Sequence, residues 1–294
     1  LVLTAGLALC GLLAAWQARS NTALTRERFD AAASRLADQL TQRMERYALG
    51  VRGARGAILA MGEAPRRRAF RDYAESRDIA REFPGARGFG FIRRVPKLEE
   101  QSFVVAARAD GMAEFTIRTL TPHDDERYVI QYIEPIAQNL GAVGVDIASN
   151  DTRRAAARAA LYSGEATLSA PITLVQAMDR PMRGFLLLLP IHRPDASAGT
   201  PAEREASTFG WAYAPVIIDE VLKDFRLEQS ALTLTLHDVT SSASRQSFYA
   251  DSQESAVAPD LPKARLTRAL LGRVWEIEVH PRPRFIAELN LLAP

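Results

Sequence analysis

From residue 22 to residue 62 the chain contains no proline. Its larger apolar or small residues there fall at Phe29, Ala33, Leu36, Leu40, Met44, Tyr47, Val51, Ala54 and Ile58. The steps are threes and fours, so these residues share one face of a long amphipathic helix. Arg, Gln, Glu and Asp occupy the other faces. A seam of this length either meets a copy of itself or serves as the spine of a folded body. One four-four step would be a local stutter in a coiled coil. Gly50, Gly53 and Gly56 would each cost ~1 kcal/mol against Ala in an isolated helix. Their density predicts close packing against another backbone. Spacing leaves open a signalling stalk, a core helix, or both at opposite ends.

Ahead of this helix, residues 1 to 16 read LVLTAGLALCGLLAAW, with Thr4 the only clearly polar member. At about 1.5 Å per residue the run covers roughly 24 Å, against the ~30 Å of a bilayer core. Trp16 and Arg19 stand where an interfacial aromatic and a snorkelling charge belong. The expectation is an N-terminally truncated transmembrane helix over 1–20, then a stalk or dimerisation helix over 21–62. A signal-peptide core is the alternative, and it lacks a convincing small-x-small cleavage site.

The formal net charge is +2, which gives no electrostatic case for nucleic acid. Cys10 is the only cysteine and lies in the apolar run. That excludes an intrachain disulfide, a cysteine zinc site and a cysteine nucleophile in the folded body. His123, His192, His237 and His280 show no i, i+3 or i+4 pairing, and no G-x-S-x-G surrounds any serine. Neither a metal nor another cofactor is expected, and a secreted enzyme lacks a catalytic constellation.

Beyond Pro65 the pattern is mixed α and β. Strands are expected over 86–95, 113–120, 127–135, 166–175 and 183–192, with helices over 98–109 and 152–163. Residues 194–207 are rich in Pro, Gly and Ser and are expected to form a loop or joint. Strands over 208–216, 232–239, 247–252 and 273–281, with a helix over 217–225, then form a second sheet. Residues 285–294 are expected to start a second transmembrane helix.

Four segments in order, "GARGFGFIRRV", "YIEPIAQNLGAVGVDIASNDTRRAAARAA", "GEATLSAPITLVQ" and "GFLLLLPIH", resemble the CHASE domain. This is the extracytoplasmic sensor module of plant cytokinin receptors and many bacterial transmembrane receptors. The resemblance implies an α+β fold: the transmembrane helix, the long N-terminal stalk helix, then two tandem PAS-like α/β subdomains. The membrane-distal, ligand-binding subdomain would take 63–195 and the membrane-proximal one 196–284. It also implies a homodimer through the stalk, embedded in a bacterial inner membrane, with residues 22–284 on the periplasmic side. The output would be cytoplasmic, such as a histidine kinase or a diguanylate cyclase.

By the same resemblance, Asp151 matches an acid that hydrogen-bonds the adenine ring of cytokinins, and the backbone of Val175 completes that contact. Ser169, Ile172 and Leu188 match the surrounding pocket, so a cytokinin or adenine-like small molecule is implied. Leu188 replaces a hydroxyl residue of the plant proteins, and the segment between Pro135 and Asp151 is shorter than theirs. Tyr132, Phe89 and Phe91 are candidate pocket walls or core aromatics.

Asp151 also stands at a helix start beside Ser149 and Asn150, all favoured N-caps. Capping and ligand reading conflict only if the carboxylate turns inward, because Asn150 can supply the cap. Gly141 and Gly144 form a GxxG, which suits turn geometry or tight packing better than phosphate binding. "PRRRAFR" (65–71) reads as a solvated basic face. A rival to ligand sensing is a module that takes a partner protein or a mechanical input, its pocket filled with side chains. A collapsed pocket would favour that rival.

Overall fold

The computed structural model describes residues 2–174, 182–225, 227, 231–241, 244–251, 262–289 and 291. Residues 22–60 of the proline-free stretch are part of one continuous helix, α1 (Val2–Ala60). The chain divides into two compact units, one comprising 42–224 with 269–274, the other 1–41, 225–268 and 275–294.

The expected transmembrane helix over 1–20 is the first part of α1. Among the described residues no helix is long and apolar enough to cross a membrane. The physical reason is that Gln17, Arg19 and Asn21 end the apolar run while the helix continues. The expected start of a second transmembrane helix over 285–294 overlaps a short helix, Pro283–Glu288, and its last residues lie largely outside those described.

The unit 42–224 is built on an eight-stranded sheet. After α1 come α2 (Arg67–Glu75), α3 (Ile79–Glu82), β1 (Phe89–Val95), α4 (Glu100–Ala109), β2 (Arg118–Thr119) and β3 (Arg127–Glu134). There follow β4 (Val145–Asp146), α5 (Asp151–Ser163), β5 (Thr167–Leu168), β6 (Ile172–Thr173) and β7 (Arg183–His192). The unit ends with α6 (Pro201–Ser207), β8 (Thr208–Ile217) and α7 (Ile218–Leu222). Strand order is β2-β4-β3-β1-β8-β7-β5, with β6 also on β7. All these pairings are antiparallel except β2 with β4.

Two expectations about this sheet are corrected. The strand read over 166–175 is split into β5 and β6, because Pro171 lies between them and has no N–H for a ladder. β8, assigned to the second sheet, lies between β1 and β7 at the centre of the first. All ten of its residues are buried, which is what a central strand covered on both faces requires. The joint read over 194–207 contains α6, started by a capping box. The Thr200 hydroxyl accepts from Glu203 N, the Glu203 carboxylate accepts from Thr200 N, and Pro201 occupies the first turn.

One face of the sheet carries Phe89, Phe91 and Tyr132. Phe70 of α2 stacks on Tyr132 at 5.9 Å, and Phe83 meets Phe89 edge-on at 5.0 Å. The seam of α1 supplies Met44, Tyr47, Val51, Ala54 and Ile58 to the core of this unit, each 0 % exposed. A Cβ on Gly50 would come within 2.5 Å of the Phe89 ring and 2.8 Å of the Phe83 ring. The glycines therefore admit aromatic side chains, not a second backbone, and at Gly56 nothing approaches within 4 Å. The opposite face holds a separate apolar cluster beneath α5, including Ile92, Ile130, Ile147, Ala156, Ala157, Ala160, Leu161, Leu186, Leu188 and Trp211.

The other unit contains a four-stranded sheet, β9 (Leu232–Asp238), β10 (Gln246–Ala250), β11 (Ala264–Leu270) and β12 (Arg273–Pro281), ordered β10-β9-β12-β11, and α8 (Pro283–Glu288). Leu234, Leu236, Trp275, Ile277 and Val279 are buried in it, and Phe29 of α1 meets Phe285 edge-on at 6.0 Å.

Candidate functional site

The N-terminus of α5 organises the surroundings of the candidate site. Asn150 has an extended backbone, and its side chain accepts a hydrogen bond from Arg153 N at 3.1 Å. Asn150 is therefore the cap and Asp151 the first helical residue. The Asp151 side chain is 93 % exposed and lies 2.5 Å from the Arg154 guanidinium. It borders an outer polar cleft of about 370 Å³ with Thr121, His123, Ser149, Thr152 and Arg154. Gly164, in the left-handed conformation, closes the helix at the other end.

Beneath the helix the residue turned inward is Arg153, only 6 % exposed. Its Nη2 donates to Thr173 O at 3.0 Å, while its Nε is buried without a partner among the described residues. Arg153 lines a small cavity of about 10 Å³ with Ile130, Ala142, Val145, Ile147, Leu174 and Leu186. Tyr213, on β8, is wholly buried, and its hydroxyl also lacks a partner among the described residues. Burial pushes the Arg153 guanidinium down from its ordinary value, partly opposed by Tyr213. Burial pushes the Tyr213 phenol well up, partly opposed by Arg153. The cation and the phenol thus feel one another inside an apolar core.

The sequence-expected residues divide between the two faces. Leu188 is fully buried in the cluster beneath α5, and Ile172 is half-buried against it. Ser169 is buried at the end of β5, where its hydroxyl accepts from Leu186 N at 3.0 Å and donates to Ala170 O at 2.8 Å. Val175 lies outside the described residues. Phe89, Phe91 and Tyr132 sit on the opposite face. There Tyr132 Oη is 2.6 Å from Asp110 Oδ2, and the Arg67 guanidinium lies 5.0 Å from its ring centre. Arg67 itself is 4 % exposed, so the basic segment 65–71 is not uniformly a solvated face.

Arg153 was not among the expected residues, although its spacing carries a signal. It lies four and seven positions before Ala157 and Ala160, on the stripe that α5 buries. Nothing in the local spacing marks Asp146. It is 0 % exposed, accepts from Tyr128 N at 2.9 Å and Ala148 N at 3.0 Å, and lies 2.6 Å from His123 Nε2. These bonds fix the turn that leads into α5.

The family model for the CHASE domain matches residues 63–249, well over half of the chain. Among solved structures, the chain is similar to an extracellular ligand binding receptor from Desulfohalobium retbaense, at 12 % identity and a TM-score of 0.53, over 86 % of this chain and 40 % of that one. It thus spans less than half the length of that receptor. Another similar structure is the periplasmic sensory domain of the Campylobacter jejuni chemoreceptor Tlp1, at 9 % identity and a TM-score of 0.48, over 88 % of this chain and 96 % of that one. The comparison with curated proteins finds no match.

Proposed function

This chain belongs to the CHASE domain family, and from that premise we propose that it is the extracytoplasmic ligand-sensing region of a membrane-bound receptor. The observation that carries the proposal is the family match over 63–249, which spans the whole sheet and α5. The ligand is a small molecule taken beneath α5, and the signal passes to a cytoplasmic output such as a histidine kinase or a diguanylate cyclase. Two structural features support this proposal. The first strand of the large sheet lies between β3 and the last strand, β8, an order compatible with the proposed PAS-like subdomain. Leu3, Leu7, Leu12 and Trp16 at the start of α1 are 66–79 % exposed, an apolar surface suited to a bilayer. Pairing of two copies along α1 completes the receptor, with Leu49, 63 % exposed, on the available face.

Thermal unfolding of the chain with a metabolite panel, isopentenyladenine included, tests the proposal. A ligand at 100 times its dissociation constant adds about 2.7 kcal/mol of stability. A midpoint rise with any small molecule supports ligand sensing. A flat response across the panel favours a second interpretation, which the small cavity of about 10 Å³ supports. In that case the subdomain is filled by its own side chains and responds to a partner protein or a mechanical input.

A further inference from the structure

We propose that the small molecule sensed by this chain carries a carboxylate, and that the carboxylate pairs with Arg153 beneath α5. The inference rests on the small-molecule sensing proposed above and adds the chemical class of the ligand.

Among the described residues Arg153 is a buried cation without an anion paired to it. The charged or polar group that acts on it is the Tyr213 phenol. Most other buried or half-buried arginines of this unit have a carboxylate nearby. Arg127 is 2.8 Å from Glu100, Arg94 is 2.7 Å from Glu126, and Arg87 is 3.2 Å from Glu220. A guanidinium removed from water needs pairing and hydrogen bonds to offset its desolvation. The Thr173 carbonyl gives Arg153 one neutral acceptor and leaves Nε without any. The structure holds a half-met demand for an acceptor with negative charge.

The donors available select the class of anion. A guanidinium edge offers parallel N–H groups that match the two oxygens of a carboxylate. The Tyr213 phenol, buried in the same apolar cluster, keeps its proton. Arg153 is also the third residue of α5, within the helix turn whose peptide dipoles favour negative charge. A phosphate dianion would leave one of its two charges unmatched by this single cation. The remaining wall is apolar, from Ile130, Val145, Ile147, Leu174 and Leu186. Such a wall suits a short hydrocarbon attached to the carboxylate.

Space is the constraint on binding. A cavity of about 10 Å³ holds no organic molecule. Room is gained if Leu174, which lines the cavity, and its neighbour Ile172 move away from Arg153. Ile172 is half-exposed, and its strand β6 has only two residues paired to β7. Entry of a ligand therefore changes the spacing between β6 and α5, which is the differential contact a two-state sensor needs.

The test uses the whole chain and pairs each acid with its neutral amide. Acetate, propanoate, isobutyrate and succinate are compared with their amides, and isopentenyladenine serves as an uncharged heterocycle. Thermal midpoints and titration calorimetry are read for wild type, Arg153→Met, Arg153→Lys and Tyr213→Phe. At least one carboxylate is expected to raise the wild-type midpoint while its amide does not. Arg153→Met is expected to weaken that binding about tenfold or more, Tyr213→Phe less, and Arg153→Lys is expected to lie between. If Arg153→Met does not fold, the acid–amide contrast in wild type still decides. A response to isopentenyladenine or to an amide, with none to any acid, overturns the carboxylate inference and leaves small-molecule sensing intact. Equal carboxylate binding by wild type and folded Arg153→Met overturns it too. Silence from acids, amides and isopentenyladenine alike overturns the inference together with the small-molecule proposal beneath it.

Discussion

The Asp151 carboxylate pairs with the Arg154 guanidinium on the outside of α5, while Arg153, between them in sequence, points into the core. Neighbouring helical residues point about 100° apart, so only one of the three can follow the buried stripe. In this helix that position belongs to a cation. The acid that the family resemblance assigns to the ligand lies in a solvent-facing cleft.

Asn150 and Asp151 are expected to separate cleanly on mutation. Asn150→Ala removes the acceptor for Arg153 N and should lower stability by about 1 kcal/mol. Asp151→Ala breaks an exposed pair and should leave the urea midpoint close to wild type. A larger loss for Asp151→Ala than for Asn150→Ala would contradict this assignment of the cap.

Gly141 and Gly144 belong to one GxxG but differ in need. Gly144 has φ +84°, and a Cβ there would lie 2.2 Å from Thr116 O. At Gly141 nothing approaches within 4 Å, and its φ is not in the left-handed range. Gly144→Ala should lower the thermal midpoint sharply or prevent folding, and Gly141→Ala should be tolerated. Equal effects would mean that the motif acts by something other than turn geometry.

Leu188 replaces a hydroxyl that the resemblance places in the pocket. It is 0 % exposed within the cluster beneath α5. Leu188→Ala should cost about 2–5 kcal/mol in chemical denaturation through lost contacts and the cavity left behind. A cost well under 1 kcal/mol would show that the core collapses around the change.

His192 should make the chain less stable in mild acid. Burial depresses its pKa, reinforced by Arg55 on α1 and Arg204 on α6. Ser207 and Thr208 hydroxyls face its Nδ1 at 3.3 and 3.0 Å. The unfolded chain takes up the proton near pH ~6.5, and the folded chain only at lower pH. The stabilising contribution of neutral His192 is therefore full above that pH and is lost as pH falls through the folded value. The stability difference between wild type and His192→Gln, followed from pH 7.5 to 5, should narrow on acidification. A constant difference would remove His192 from the pH response.

Much of the fold follows from patterns visible in the chain. The seam from Phe29 to Ile58 marks α1, and Arg183–His192 forms a strand over the limits its apolar run suggests. The seam alone does not say what covers it, because threes and fours look the same to a partner copy and to the chain's own sheet. β8 went to the wrong sheet because a polar joint precedes it. Its unbroken burial, against the alternation of β12, is the physical mark of a central strand. Arg153 was hidden by its company. In "DTRRAAARAAL" three arginines suggest a solvated helix, and only the register with Ala157 and Ala160 distinguishes the buried one.

The indole Nε1 of Trp211, on the central strand β8, donates to Ala157 O at 3.0 Å inside the core, and the Tyr128 ring lies 4.5 Å from the indole. This bond anchors α5 near its middle. Arg153 lies about 6 Å along the axis to one side of the anchor, and Ser163 about 9 Å to the other. Any tilt of α5 about that bond would carry the end with Tyr162 and Ser163 about one and a half times as far as the Arg153 end, in the opposite sense.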